Sequence, residues 1–336
     1  MDPVVVAGLV PEAHAGAHLL AVPRSRGTAR TPVDTLARAW FPEAGWTTAP
    51  GGGGAARPMA GARFRGVVAD TVTAPGVLRL LEGARAVGPF PLTVPQTQAL
   101  DLASGAAEVF ALELDDPAPR GAPAAVPDDR DGIARVFPGG LPQGAELQVV
   151  GWAVAVARRV GGAVVADGRS VLTPDPASGV DLTLYSAQVL APEDVLGVLR
   201  TVVPSAQLVA VEPRADGPSD VAASGDTPYD GAVRLWMQRV PEVPLALGAL
   251  DWREYGPYAY RVSWSPVDTY ELEVERPSGL HAIARSRARV LVARLAAMLQ
   301  GRLAGTLVDD GGFVVRDLDL DARLTPAPTS TSQFWV

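Results

Sequence analysis

One stretch of this chain occurs twice, and any fold proposed for it has to place both copies. Residues 158–172, RRVGGAVVADGRSVL, lie without a gap over residues 301–315, GRLAGTLVDDGGFVV. The pairs Arg159/Arg302, Gly162/Gly305, Val165/Val308, Asp167/Asp310, Gly168/Gly311 and Val171/Val314 are identical. Each copy spells the end of a helix, a glycine stop, a strand, a tight Asp-Gly turn and a second strand. The unit that ends in this element is therefore expected twice.

Weaker echoes extend the match upstream. A strand at 62–72 followed by an Ala-Pro helix at 74–87 is set against a strand at 181–186 followed by the helix after Ala191-Pro192, because Pro pre-sets the first helical turn. Ala99-Leu100-Asp101 recurs as Ala249-Leu250-Asp251, and at that offset Phe110, Leu112 and Leu114 fall on Tyr260, Val262 and Trp264, one face of a strand of period two. PGGLP at 138–142 echoes PSGLH at 277–281, each leading into a long helix. The expected fold is α+β, a tandem duplication of a split β-α-β, ferredoxin-like unit, each unit with a C-terminal β-hairpin. The first unit is expected over 62–175 and the second over 180–316. Residues 1–60 are expected to be an irregular N-terminal segment with a Gly-rich spacer, apart from a short helix at 32–40, and 317–336 a tail. Polar, Gly- and Pro-rich composition marks 115–132 and 213–231 as loops.

The two long helices differ. Residues 143–160 are apolar nearly all round, which predicts a helix covered on two sides, at a contact between the units or in a homodimer. Residues 281–302 carry Arg285, Arg287, Arg289, Arg294 and Arg302 on one side. That is a solvated basic face, or one that meets an acidic partner. All 29 strong cations are Arg, so Arg richness by itself marks no phosphate site.

The net charge of −8 argues against a sequence-independent grip on nucleic acid. The chain has no cysteine, which excludes disulfides, thiolate catalysis and Cys-ligated zinc. No run of 18 apolar residues occurs, so no membrane role is expected, and the default location is the cytoplasm. His14, His18 and His281 are the only histidines. On a helix, Glu12, His14 and His18 would place both imidazoles on one face, but no third ligand is indicated and no metal or cofactor is expected. His281 reads as a capping or surface residue. The Asp-Gly turns at 167–168 and 310–311 are explained by hairpin chemistry without a catalytic role. No G-x-S-x-G, P-loop or G-x-G-x-x-G pattern is present.

Aromatic residues concentrate between 236 and 264. Tyr260 and Trp264 match core positions of the first unit, so Trp252, Tyr255 and Tyr258, with Arg285 and Arg289 of the basic helix, are the candidate partner-binding residues. The function expected is non-catalytic binding or scaffolding with a protein or peptide partner. Alternatives are a regulatory protein holding a small molecule between the two units, and an enzyme using dispersed carboxylates such as Asp101 and Asp251.

The segment Val154–Pro174, VAVARRVGGAVVADGRSVLTP, resembles the helix-glycine-strand element near the end of the FtsZ-binding domain of ZipA-type division proteins. The resemblance covers 21 of the 336 residues and implies a split β-α-β core and a division-protein partner.

Overall fold

A computed structural model describes residues 8–24, 32–52, 73–103, 105–123, 128–215, 217–242, 244–248, 250–251 and 255–325. The chain divides into two compact units: Met1–Ala125 with Asp131–Pro176, and Val126–Arg130 with Ala177–Val336. Among the described residues the fold is mixed α+β, with seven α-helices and two large antiparallel sheets. No described helix is long and apolar enough to cross a membrane.

The first unit begins earlier than the sequence predicts. Strand β1 (His18–Pro23) is central in the sheet, helix α1 (Val33–Trp40) follows, and β2 (Gly45–Thr48) forms one edge. Residues 18–23 and 45–48 are thus strands where an irregular segment was expected, while the short helix expected at 32–40 is α1. The reason is that HLLAVP is buried along nearly its whole length and shows no alternation to betray a strand. The predicted helix at 74–87 is instead a hairpin, β3 (Gly76–Leu81) and β4 (Ala84–Leu92). Leu78, Leu81 and Arg85 have helical spacing, but the buried residues are Leu78 and Leu80, and Gly83 turns the chain at φ +73°. The predicted strand at 62–72 lies outside the described residues. Next come α2 (Val94–Ala99), β5 (Ala107–Leu114), α3 (Ile133–Val136), α4 (Gly144–Val160), β6 (Ala163–Ala166) and β7 (Ser170–Leu172). The strand order is β2-β3-β4-β5-β1-β6-β7.

Helix α4 packs on β1, β5 and β6, and α1 packs against it as well. The buried Trp152 indole donates to the Leu36 carbonyl oxygen at 3.1 Å and meets Phe41 edge-on. Two layers of one unit therefore account for the all-round apolar sequence of α4.

The second unit runs β8 (Leu182–Ser186), α5 (Pro192–Arg200), β9 (Gln207–Arg214), β10 (Gly217–Thr227), β11 (Gly231–Arg239), β12 (Tyr258–Ser265), α6 (Gly279–Leu303), β13 (Thr306–Asp309) and α7 (Asp317–Leu324). Its strand order is β9-β10-β11-β12-β8-β13. The expected loop at 213–231 is mostly strand. Only Val221, Ala223 and Gly225 of β10 turn inward, so its composition carries little apolar signal. The expected tail begins as a helix, with Leu320 buried in the core.

Each unit places a first strand between the two that flank its long helix: β1 between β5 and β6, β8 between β12 and β13. Four strands of the large sheet, not the two of a ferredoxin-like unit, separate the first helix from the long one in each unit. The registers agree as well. His18 faces Leu112 and Leu182 faces Val262, while Leu19 faces Val165 and Thr183 faces Val308. In this register Ala21 and Tyr185 hold the same place, and the shared glycines explain themselves. A Cβ on Gly162 would sit 2.4 Å from the Ala21 carbonyl oxygen, and one on Gly305 2.2 Å from that of Tyr185. The helix before each glycine ends on a residue of positive φ, Gly161 (φ +67°) and Ala304 (φ +54°), of which Gly161 is the left-handed cap.

Candidate functional site

A pocket of about 620 Å³ opens in the first unit, where the start of β1, the end of β5 and the loop at 117–120 meet. It brings together two of the three histidines. His18 is the first residue of β1, 4% exposed. Its Nδ1 accepts the Asp167 backbone N–H at 3.0 Å, so the ring proton sits on Nε2, which donates to Glu146 Oε1 at 2.8 Å. Glu146, equally buried, lies in the first turn of α4, where the helix dipole favours a carboxylate. Asp167 and Gly168 form the β6–β7 turn with φ of +50° and +60°, closed by the Arg169 N–H on the Ala166 carbonyl oxygen at 2.9 Å, as the Asp-Gly spelling predicts. Only glycine fits at 168, since a Cβ there would meet the Ala15 carbonyl oxygen at 2.2 Å.

Arg120 closes this cluster. Its guanidinium donates to Glu146 and to Asp167, both at 2.7 Å, and stacks on Phe137 with its carbon 4.6 Å from the ring centre. Donor atoms of His18, Glu146 and Asp167 lie within 4.8 Å of one another, near enough in principle for a cation. The hydrogen bonds argue otherwise. The proton on Nε2 occupies the nitrogen next to Glu146, and the guanidinium already supplies the positive charge between the two carboxylates. The cluster is a buried brace that ties the loop at 117–120 to the sheet. Both ring nitrogens of His18 are committed to it, which leaves that ring no part in proton transfer.

The other wall is arranged differently. His14 Nδ1 bonds Glu113 Oε1, Glu113 Oε2 accepts from Arg85 Nε at 2.8 Å, and Arg85 Nη1 reaches Asp115 at 2.7 Å. These hydrogen bonds, Glu113's first and Asp115's second, hold the Arg85 guanidinium above its ordinary pKa. The His14 ring leans on Phe90, with centres 5.6 Å apart. With Nδ1 held by a carboxylate, Nε2 is the nitrogen left to meet a ligand. Between the two walls lie Leu112, Leu114, Pro117 and Pro119. Among the described residues no hydroxyl or thiol lines the pocket.

The histidines predicted to share a helical face thus share a pocket by another route: His14 ends a short 3-10 turn and His18 starts a strand. The structure does not gather the predicted partner-binding residues. Trp252 lies outside the described residues. Tyr255 is 4% exposed, in a small cluster with Leu247 and Val308, and Tyr258 packs partly buried against the main core of its unit. Arg285 and Arg289 are half-buried on α6. His281, expected as a capping or surface residue, is buried with its ring 5.3 Å from that of Trp264. Asp101 and Asp251 are exposed and belong to different units.

Sequence reasoning missed Arg120, Glu113 and Arg85. Arg120 stands in a stretch read only as an acidic, Pro-rich loop, and nothing local signals its reach to residues 146 and 167. The span that resembles the ZipA-type domain is here the end of α4 with the β6–β7 hairpin, an element built from generic turn chemistry. No family model, no curated protein and no solved structure matches this chain.

Proposed function

We propose that the protein acts by binding, and that its first unit holds a small polar molecule with a short apolar body. The observation that carries this is the pocket itself: a rim histidine oriented by Glu113, two guanidinium groups, and an apolar lining of Leu112, Leu114, Pro117 and Pro119. Binding is favoured over catalysis because the described pocket lining offers no hydroxyl or thiol, its carboxylates are held by His14, His18, Arg85 and Arg120, and the deeper histidine is fully engaged. A peptide partner at Trp252, Tyr255 and Tyr258 has less support, since Tyr255 is buried. The matched strand orders and registers further support descent of both units from one duplicated β-α-β-β-β-β-α-β unit, an enlarged relative of the ferredoxin-like order.

Native mass spectrometry of the full chain, purified without denaturation, tests the pocket. We expect a non-covalent adduct whose occupancy falls about tenfold in His14→Ala, the loss of one good hydrogen bond. A bare chain mass, with a melting temperature that no member of a polar-metabolite library raises, would refute it.

A further inference from the structure

The edges of the two sheets are finished differently. In the first sheet the edge strand β2 has four residues, two of them half-buried. In the second, β9 takes the same place in the strand order with eight residues, Gln207–Arg214, of which all but Ala210 are exposed. Leu208, Val209 and Val211 are 40%, 68% and 43% exposed, and no β9 residue belongs to the core of its unit. A long edge carrying Val and Leu offers an open row of backbone donors and acceptors, which natural proteins usually shorten, charge or cover. Two bulges bend β9 without burying it.

We propose that β9 pairs antiparallel with β9 of a second copy of this chain, joining the two sheets edge to edge about a two-fold axis. The sequence of the strand is complementary to itself. With Val209 opposite Ala210 of the second copy, Leu208 meets Val211 and Gln207 meets Glu212, so apolar residues face apolar residues and no like charges oppose each other. Pro213, which has no N–H to donate, falls outside the paired stretch. Arg214 is held at 2.8 Å by Asp220 of its own sheet. This surface is independent of the pocket in the first unit.

Sedimentation of the full chain at micromolar concentration tests the pairing. The wild type is expected to be a dimer. Val209→Arg, which sets two cations beside the axis, is expected to weaken dimerisation about a hundredfold, while Val94→Arg, at an exposed site of the first unit, leaves it unchanged. Because the chain has no cysteine, Val209→Cys introduces a single thiol, and a short thiol crosslinker should then yield a covalent dimer where Val94→Cys does not. Val209 is exposed, so its replacement leaves the core intact, and far-UV circular dichroism checks that the variants fold. A monomeric wild type overturns the proposal, as does a dimer that survives Val209→Arg. A monomer that instead takes up a foreign extended peptide at β9 assigns the edge to another partner and overturns it too.

Discussion

Both units fasten a buried acid with arginine, yet they do so with different residues. In the first, Glu146 is held by His18 and Arg120. In the second, buried Asp181 accepts from the Trp264 N–H and from Arg261, both at 3.1 Å, with Arg130 at 3.5 Å. In the shared register the place of His18 is taken by Leu182 and that of Glu146 by Arg289, so the brace of the first unit has no counterpart in the second. Conversely, Asp181 corresponds to Ala17. Arg120 and Arg130 come from one irregular stretch, 115–132, whose parts are divided between the units. A common backbone frame has been fitted with separate polar interiors, and that of the first unit borders the pocket lined by His14 and His18.

The largest predicted effect tests what the units share. Gly162→Ala and Gly305→Ala should each destabilise by about 3 kcal/mol, because the added methyl meets a backbone carbonyl that cannot move without breaking its sheet. Urea unfolding measures this. A small loss in either variant would mean that the matching registers do not impose the same constraint, and the comparison would break at its strongest point. The next effect tests what they do not share. Arg120→Ala leaves buried Glu146 with His18 as its donor and should cost about 2 kcal/mol. Replacement of exposed Arg294 on α6 by Ala should change stability by less than about 0.5 kcal/mol.

What could be read from the sequence followed the range of the interactions involved. The hairpin turn at 167–168, the glycine stop of α4, the Ala-Pro start of α5 and the core positions of Tyr260 and Trp264 depend on residues close in the chain or on strand periodicity, and all are visible in the residues themselves. The start of the first sheet was hidden because β1 is buried on both faces and so lacks the period-two pattern. The β3–β4 hairpin was hidden because three leucines within four positions fit either period. The site was the least legible part. Its residues come from positions 14–18, 85, 113, 120, 146 and 167, and their meeting depends on strand pairings that no local pattern encodes. The i, i+4 spacing of His14 and His18 suggested a shared helical face, whereas a 3-10 turn and a strand bring the two to one pocket.

Tyr260 sharpens the comparison at one aligned position, since its counterpart is Phe110. Its hydroxyl donates to the Gln188 carbonyl oxygen and accepts the Leu190 N–H, each at 2.9 Å, fixing the turn into α5. Tyr260→Phe should therefore cost about 1 to 2 kcal/mol by leaving the Leu190 N–H without its acceptor. Burial, more than the opposing Leu190 hydrogen bond, pushes its pKa up to about 12. A raised acid favours the neutral form, so this contribution is whole below the ordinary tyrosine value near 10 and is lost as pH rises toward 12. Ultraviolet titration should find one tyrosine fewer ionising late in the Tyr260→Phe variant.

A smaller effect than that of Tyr260 is expected at the brace of the second unit. Burial alone would raise the Asp128 pKa, but the hydrogen bond and charge of Arg130 outweigh it and hold the carboxyl below its ordinary value. The Arg130 guanidinium, though burial works against its charge, is in turn held above its usual range by Asp128 and Asp181. A depressed carboxylate stabilises the fold above the unfolded-state value, near 4, and that contribution disappears as pH falls through the lower folded-state value. Asp128→Asn should thus lower stability slightly at neutral pH and flatten the acid limb of the stability curve below about pH 4. If Asp128→Asn leaves the acid limb unchanged, Arg130 is held mainly by Asp181, and the second brace is centred on that one buried acid.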